Sequence, residues 1–286
     1  MSLHPIQHMR SRTVKAMLAG LVLLTHSAVS ADLMLYPTRV VVSGSQRSGQ
    51  VQVANRGTGT QTYRISIVNR RMTEAGEINE VEEPQAGEQY ADSMLMYTPR
   101  QITLKLGETQ TVRVSVRKPA ELADGEYRSH MQFDQVLAAE GASNLEDAAK
   151  QEPGKMSLMV QTLIGTSIPV IVRHGQTSAT VSLSDLEVVP AEKEAGPFLF
   201  FRFNRQGNQS VYGDVVAIYT PAGGQSLEVS RVNGLAVYVP NITRTARIPL
   251  NLPEGTVLKG GSIKLTYSER PEDGGKLLAE TSVNVP

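Results

Sequence analysis

Residues 158–173 read LMVQTLIGTSIPVIVR, and this stretch indicates the fold more clearly than any other. Every even-numbered position holds an aliphatic residue or threonine, which is typical of a β-strand that buries one face. The stretch has sixteen residues, far more than the usual strand of about 5–6. Pro169 cannot donate to a sheet ladder and favours an edge, where so long an apolar strand would be open to a partner chain. A buried central strand is the alternative.

Four further segments show the same alternation: residues 50–53, 63–67, 111–116 and 262–267. Glycine-containing turns separate the strand-like segments along the chain. Short strands at this spacing predict an all-β protein built from β-sandwiches rather than a helical or βαβ fold.

The segment RHGQTS at residues 173–178 separates two series of strands and predicts a domain boundary. We therefore expect domains at 32–174 and 175–286, each of a size normal for one sandwich. The polar stretches 74–92 and 137–153 are either solvated insertions or functional loops.

Residues 1–31 have the three parts of a secretory signal peptide. Three bases and no acid precede the apolar run 16–24, and small residues follow, so that cleavage is expected after Ala31. Nine apolar residues are too few for a membrane-spanning helix, which needs about 20. The sequence therefore predicts a protein exported to the periplasm and not inserted in the membrane after cleavage; a buried N-terminal helix is the alternative.

Charge and composition exclude several functions. The chain has 28 Lys+Arg and 28 Asp+Glu, and loss of the leader leaves 25 bases against 28 acids, a net of −3. No basic excess exists for a nucleic acid, so nucleic acid is not expected as a partner. The absence of cysteine excludes disulfides, thiolate nucleophiles and Cys-ligated metals.

Motifs of catalysis are also missing. The sequence has no nucleophile elbow, no phosphate-binding glycine loop for a nucleotide, and no paired histidines at metal-binding spacing. Only His130 and His174 remain after cleavage, and both favour structural roles. We predict a protein that is not an enzyme and that holds no metal or other cofactor.

Two further segments complete the pattern. Residues 33–44, LMLYPTRVVVSG, place Arg39 in an otherwise apolar first strand, where it either reaches solvent or binds an anion. Residues 97–108, YTPRQITLKLGE, lead into the strand 111–116. The order and spacing of these segments, with the signal peptide and the strand ending at Arg173, resemble the periplasmic pilus-assembly chaperones (PapD-like). The resemblance covers most of residues 33–174.

The resemblance implies two immunoglobulin-like sandwiches at an angle, with pilus or fimbrial subunits bound in the cleft and along the last strand of the first domain. The chaperone lends this strand to a subunit that lacks one, which prevents aggregation, and then delivers the subunit to an outer-membrane usher. The side chains expected to enter the subunit's groove are Leu158, Val160, Ile164 and Ile168. Arg39 matches the family's cleft arginine, which would bind the terminal carboxylate of the subunit.

The chain departs from the family pattern at two points. A second cleft base, usually a lysine, aligns with Pro169, so that either Arg173 or Arg100 substitutes or the subunits are anchored differently. Arg173 more closely matches a family arginine that connects the domains through acids such as Glu126 and Asp273. The long loop 137–153 lacks the cysteine pair of the long-loop branch, which leaves the subfamily open.

Two other functions fit an exported sandwich protein. A structural pilus or adhesin subunit would carry a donor extension and an incomplete sandwich. An envelope sugar-binding or hydrolytic sandwich would need aromatic platforms or a carboxylate pair, yet aromatic residues make up 5% of the chain and tryptophan is absent.

Overall fold

The structure is a computed structural model, and it describes residues 33–136, 165–190, 196–253 and 255–286. Apart from two short 3-10 turns at Asp92–Met94 and Pro271–Asp273, the regular elements of these residues are strands. The strands are β1 (Leu33–Tyr36), β2 (Val40–Val42), β3 (Ser48–Asn55), β4 (Gln61–Val68), β5 (Arg70–Met72), β6 (Ile78–Glu80), β7 (Leu95–Thr98), β8 (Gln101–Leu104), β9 (Thr109–Val116), β10 (Gly125–Val136), β11 (Gly165–His174), β12 (Ala179–Val189), β13 (Phe198–Gly207), β14 (Val211–Thr220), β15 (Leu227–Val237), β16 (Thr243–Pro249), β17 (Ser262–Ser268) and β18 (Leu277–Asn284).

The first sandwich is formed by the strands that precede residue 175, with β5 and β6 paired in an additional two-stranded sheet. One sheet has the order β1-β3-β9-β7, and the other has the order β2-β11-β10-β4-β8. Named in chain order from A to G, these are the A-B-E-D and G-F-C arrangements of an immunoglobulin-like sandwich, with β2 and β8 added at the edges of the second sheet.

The second sandwich is formed by the strands that follow residue 178. Its sheets have the orders β12-β13-β16 and β15-β14-β17-β18, which correspond to A-B-E and to C-F-G with one additional edge strand. The protein is therefore all-β, with two immunoglobulin-like β-sandwiches, as the alternation in the sequence predicts.

A hydrogen bond at the start of β10 supports this assignment. Tyr127 is buried in the first core, and its hydroxyl donates to the carbonyl oxygen of Ala123 at 3.0 Å. A tyrosine near the start of strand F that bonds to the backbone a few residues upstream is the tyrosine corner of immunoglobulin-like domains.

The cores follow from the alternation. In β13, Leu199, Phe201 and Phe203 point inward and are fully buried, and the edges of the aromatic rings pack against one another and against Tyr267. Strand β10 differs, because all residues from Gly125 to Phe133 are buried. Its outer face is covered by the backbone of residues 89–91 and by residues of the second sandwich.

A third, smaller apolar cluster joins the sandwiches. Met72 and Ile171 from the first sandwich pack with Ala236 and Tyr238 from the second. The ladder of β11 ends at His174 and β12 begins at Ala179, so residues 175–178 connect the two sandwiches. Within the described ranges, no helix is long and apolar enough to span a membrane.

Candidate functional site: an arginine-lined cleft

A cavity of about 360 Å³ lies where the two sandwiches meet. The first sandwich contributes residues from the β1–β2 turn and from β11, and the second contributes residues from β14, from the end of β15 and from the turn before β18. The lining residues are Thr38, Arg39, Pro169, Tyr212, Asn233, Gly234, Tyr238 and Arg270. This set contains two arginines and no acidic residue, so the cavity favours an anion.

Arg39 enters the cavity from the turn between β1 and β2. Its guanidinium carbon lies 4.1 Å from the centre of the Tyr212 ring, which is cation–π geometry across the two sandwiches. The Nε atom of Arg39 is buried without a hydrogen-bond partner, and no carboxylate of the described residues forms an ion pair with this side chain. A buried cationic donor without a partner is unfavourable unless a ligand satisfies it.

Arg270 lines the cavity from the second sandwich, just before the turn Pro271–Asp273. Its guanidinium carbon lies 6.0 Å from the centre of the same Tyr212 ring, and its Nη1 lies 3.5 Å from the Tyr212 hydroxyl. Asp214 and Glu272 are the acids nearest to it, at 3.7 Å and 3.1 Å. Neither of these acids lines the cavity.

Arg128 adds positive charge behind the cavity wall. It lies on the outer face of β10, and its guanidinium carbon is 4.2 Å from the centre of the Tyr238 ring. Burial is the main cause that lowers the pKa of Arg128 and raises the pKa of Tyr238. An arginine remains charged even when burial lowers its pKa, and a tyrosine with a raised pKa is neutral. The wall of the cavity is therefore cationic.

The cavity adjoins an open edge of β11. Strand β11 pairs with β10 along its whole length, from Gly165 to His174. On its other side β2 pairs with it, in parallel, only at residues 170–172. The segment from Gly165 to Pro169 therefore has one free edge among the described residues, and Pro169 stands where that edge ends, as expected for a proline.

Of the four groove residues expected from the sequence, Leu158, Val160 and Ile164 lie outside the described residues. The fourth, Ile168, is buried in the core of the first sandwich together with Val170 and Val172. Its side chain is thus used inside the chain's own sandwich and is unavailable to a partner's groove, because the even-numbered face of β11 is the core face here.

The three residues expected to connect the domains differ in the contacts that they make. Arg173 and Glu126 are cross-strand neighbours in β11 and β10, and Arg173 Nε lies 3.0 Å from Glu126 Oε2. This ion pair lies within the first sandwich; the bond between sandwiches is made by Glu126, which also accepts from Ser210. Asp273 is exposed, and the described ion pairs of Arg173 do not include it.

Neither candidate for the second base lies in the cavity. Arg173 is held by Glu126, and Arg100 lies against Tyr97, 5.0 Å from its ring centre. The residues that the sequence analysis missed are Arg270 and Tyr212. They lie more than a hundred residues beyond Arg39 in the chain, and no motif around them indicates that the fold brings them together.

Within the described ranges, no group of three or more His, Asp or Glu side chains is placed to hold a metal ion. The cavity itself offers guanidinium, phenol, hydroxyl and amide groups, which suit an anionic ligand rather than a cation.

Comparisons with known proteins give structural similarity without sequence similarity. No family model and no curated protein matches the chain. Among solved structures, the chain is similar to the YadV chaperone (13% identity, 89% of this chain and 100% of that one, TM-score 0.43). It is also similar to the E. coli chaperone DraB (14% identity, 89% and 96%, TM-score 0.41). A third similar structure is the Salmonella enterica SafA pilin in complex with the SafB chaperone (15% identity, 88% and 96%, TM-score 0.40).

Proposed function

We propose that this protein is a periplasmic chaperone of pilus or fimbrial assembly. It binds an exported subunit through the subunit's terminal carboxylate at Arg39 and through the edge of β11. It prevents aggregation of the subunit and delivers it to an outer-membrane usher. The observation that carries the proposal is Arg39, an arginine with a buried, unpaired Nε and no acidic partner among the described residues, in a cavity without acids beside an open strand edge.

The two parts of this site suit one ligand. A chain that adds to the free edge of β11 forms backbone hydrogen bonds with it, which is recognition by β-augmentation. A chain end that reaches the cavity presents a carboxylate, for which a guanidinium group offers paired donors at close range. A partner strand with its carboxyl end at the cleft therefore uses both features at once.

The apolar part of the strand supplies the groove contacts. Leu158, Val160 and Ile164, which lie outside the described residues, are the side chains proposed to enter the subunit. Burial of each large aliphatic side chain contributes roughly 1.5–3 kcal/mol. Binding of this kind needs no nucleotide and no catalysis.

Two observations favour this proposal over the alternatives. The first sandwich has strands at all positions from A to G, whereas a subunit that accepts a donor strand would lack one. The cavity contains no carboxylate pair with which to hydrolyse a glycosidic bond.

The experiment that tests the function is co-purification after export. The chain is co-expressed with any small, β-rich exported proteins that its neighbouring genes encode, and the complex is isolated from the periplasm. We expect Arg39→Ala and Ile164→Asp each to abolish recovery of the subunit, with the circular dichroism spectrum unchanged.

Matched controls come from the second sandwich. Arg247→Ala removes an exposed arginine that lies over Phe198, and Val257→Asp adds an acid at an exposed position, so both should retain the subunit. Normal recovery with Arg39→Ala and Ile164→Asp would exclude the chaperone function.

A further inference from the structure

We propose that Arg270 is the second cation of the carboxylate site, so that the anion binds between one arginine from each sandwich. This inference rests on the proposed function, and it assigns the base that Pro169 leaves missing in the first sandwich. The ligand group is the carboxylate at the end of a partner polypeptide.

The first argument is the shared position of the two guanidinium groups. Their central carbons lie 4.1 Å and 6.0 Å from the centre of the same Tyr212 ring, and both side chains line the same cavity. Two cations that line one cavity repel, and an anion that binds both of them offsets that repulsion. Tyr212 holds both groups with its ring and its hydroxyl.

The second argument is the pattern of unused donors. The Nε atoms of Arg39 and of Arg270 are both buried and both without a hydrogen-bond partner. In Arg270 the contacts to Tyr212 and Glu272 use Nη1, which leaves the Nε edge of the guanidinium free. A carboxylate can accept from both donors of such an edge at once.

The acids near Arg270 do not occupy this edge. Asp214 Oδ1 is 3.7 Å from Arg270 Nε, which is beyond hydrogen-bond distance, and it already accepts from the backbone N–H of Gly234 at 2.8 Å. Glu272 lies at the surface with 58% of its side chain exposed. These carboxylates orient Arg270 without filling the cavity.

This arrangement has a consequence for binding. A carboxylate held by Arg39 and Arg270 connects the two sandwiches, so ligand binding and the arrangement of the sandwiches depend on each other. A ligand that prefers the joined arrangement stabilises it by its difference in affinity.

The test uses a defined probe, the peptide acetyl-Thr-Val-Thr-Val-Thr, made once with a free carboxylate and once with a carboxyl-terminal amide. Binding to the full chain is measured by calorimetry, and the Arg Nε–Hε signals are followed by NMR. We expect the unmutated protein to bind the carboxylate form at least tenfold more tightly than the amide, with shifts in the signals of both arginines.

Four variants are compared with the unmutated protein. Arg270→Gln and Arg39→Gln should each remove most of the tenfold preference for the carboxylate, while Arg231→Gln, at an exposed arginine paired with Glu228, should keep it. Glu272→Gln keeps Arg270 and removes its surface partner, so it should retain or increase the preference. The NMR titration needs no variant and does not depend on whether a substitution disturbs folding.

The outcomes separate the two proposals. If Arg270→Gln keeps the full preference, or if only the Arg39 signals shift, Arg39 is the sole anchor and the inference is wrong, while the proposed function stands. If neither form of the peptide binds, or if Arg39→Gln keeps the preference as well, the carboxylate site itself is refuted.

Discussion

The carboxylate of Glu126 in the first sandwich accepts hydrogen bonds from both the hydroxyl and the backbone N–H of Ser210 in the second. Glu126 is only 1% exposed, and its Oε2 atom also accepts from Arg173 Nε at 3.0 Å. The Ser210 hydroxyl in turn accepts from the backbone N–H of Val239 at 3.0 Å. One buried carboxylate thus connects the last strand of the first sandwich with two segments of the second.

Removal of this carboxylate should destabilise the protein. Glu126→Ala leaves Arg173 and Ser210 without their partner, and we expect it to lower the free energy of unfolding by about 2–3 kcal/mol. Ser210→Ala removes only one hydroxyl and should lower it by about 1 kcal/mol. Urea denaturation measures both values. Glu280→Ala, which breaks a half-exposed pair with Lys264, is the control and should change the value by less than about 1 kcal/mol.

An ion pair between the two halves of the chain should contribute much less than the hydrogen bonds of Glu126. Glu74 lies 2.7 Å from Arg202 Nη1 and accepts from the Thr243 hydroxyl at 3.0 Å, but 55% of its side chain is exposed. Because water and salt screen such a pair, Glu74→Gln should cost less than about 1 kcal/mol and less still in 0.5 M NaCl. A loss of 2 kcal/mol or more, independent of salt, would show that we have underestimated this contact.

The ring of Tyr212 should contribute more than its hydroxyl to the affinity of the cavity for a carboxylate. Tyr212→Phe keeps the ring under Arg39 and loses only a 3.5 Å contact to Arg270, so the affinity for the carboxylate peptide should fall by less than about threefold. Tyr212→Leu removes the platform of both guanidinium groups and should weaken binding about tenfold. Equal effects of the two substitutions would indicate that the hydroxyl carries the role.

The tyrosine corner at the start of β10 should affect the stability of the protein but not its binding. Tyr127→Phe removes the hydrogen bond to the Ala123 carbonyl and keeps the buried ring, so the free energy of unfolding should fall by about 1 kcal/mol. The affinity for the carboxylate peptide should not change, since Tyr127 does not line the cavity. A change in affinity without a change in stability would contradict this separation.

Local patterns in the sequence were sufficient to predict the sandwiches. Alternation in residues 50–53, 63–67, 111–116 and 262–267 falls within β3, β4, β9 and β17, because each of these strands has one face in a core. Strand β10 could not be described in this way. Its outer face is buried by distant parts of the chain. Its polar residues Arg128, His130 and Gln132 are therefore buried, although the alternation in the sequence would place them in solvent.

The site was predictable only in part for the same reason. Arg39 is conspicuous because it interrupts an apolar stretch of the sequence, although it lies in the turn between β1 and β2, whereas Arg270 lies in a polar turn where a charged residue is unremarkable. The even-numbered positions of residues 158–172 read as one continuous face, but alternation does not say which partner buries each position. Ile168 packs in the chain's own core, and that assignment needs the register of β10 with β11.

His130 should make the protein sensitive to acid. It lies on the outer face of β10, only 3% exposed, with Nδ1 unbonded, and burial lowers its pKa to about 3, with Arg128 and Arg70 adding to the effect. The unfolded chain takes up this proton near pH 6.5, while the folded chain does so only near pH 3. The stability contributed by neutral His130 is therefore complete above pH 6.5 and falls as the pH is lowered, by about 2 kcal/mol at pH 5.

Urea denaturation of the unmutated protein and of His130→Gln at pH 7.5 and pH 5.0 measures this difference. His174→Gln, at the partly exposed end of β11, is the matched control and should show the full acid loss, whereas an unchanged loss in His130→Gln would assign the acid sensitivity to other groups.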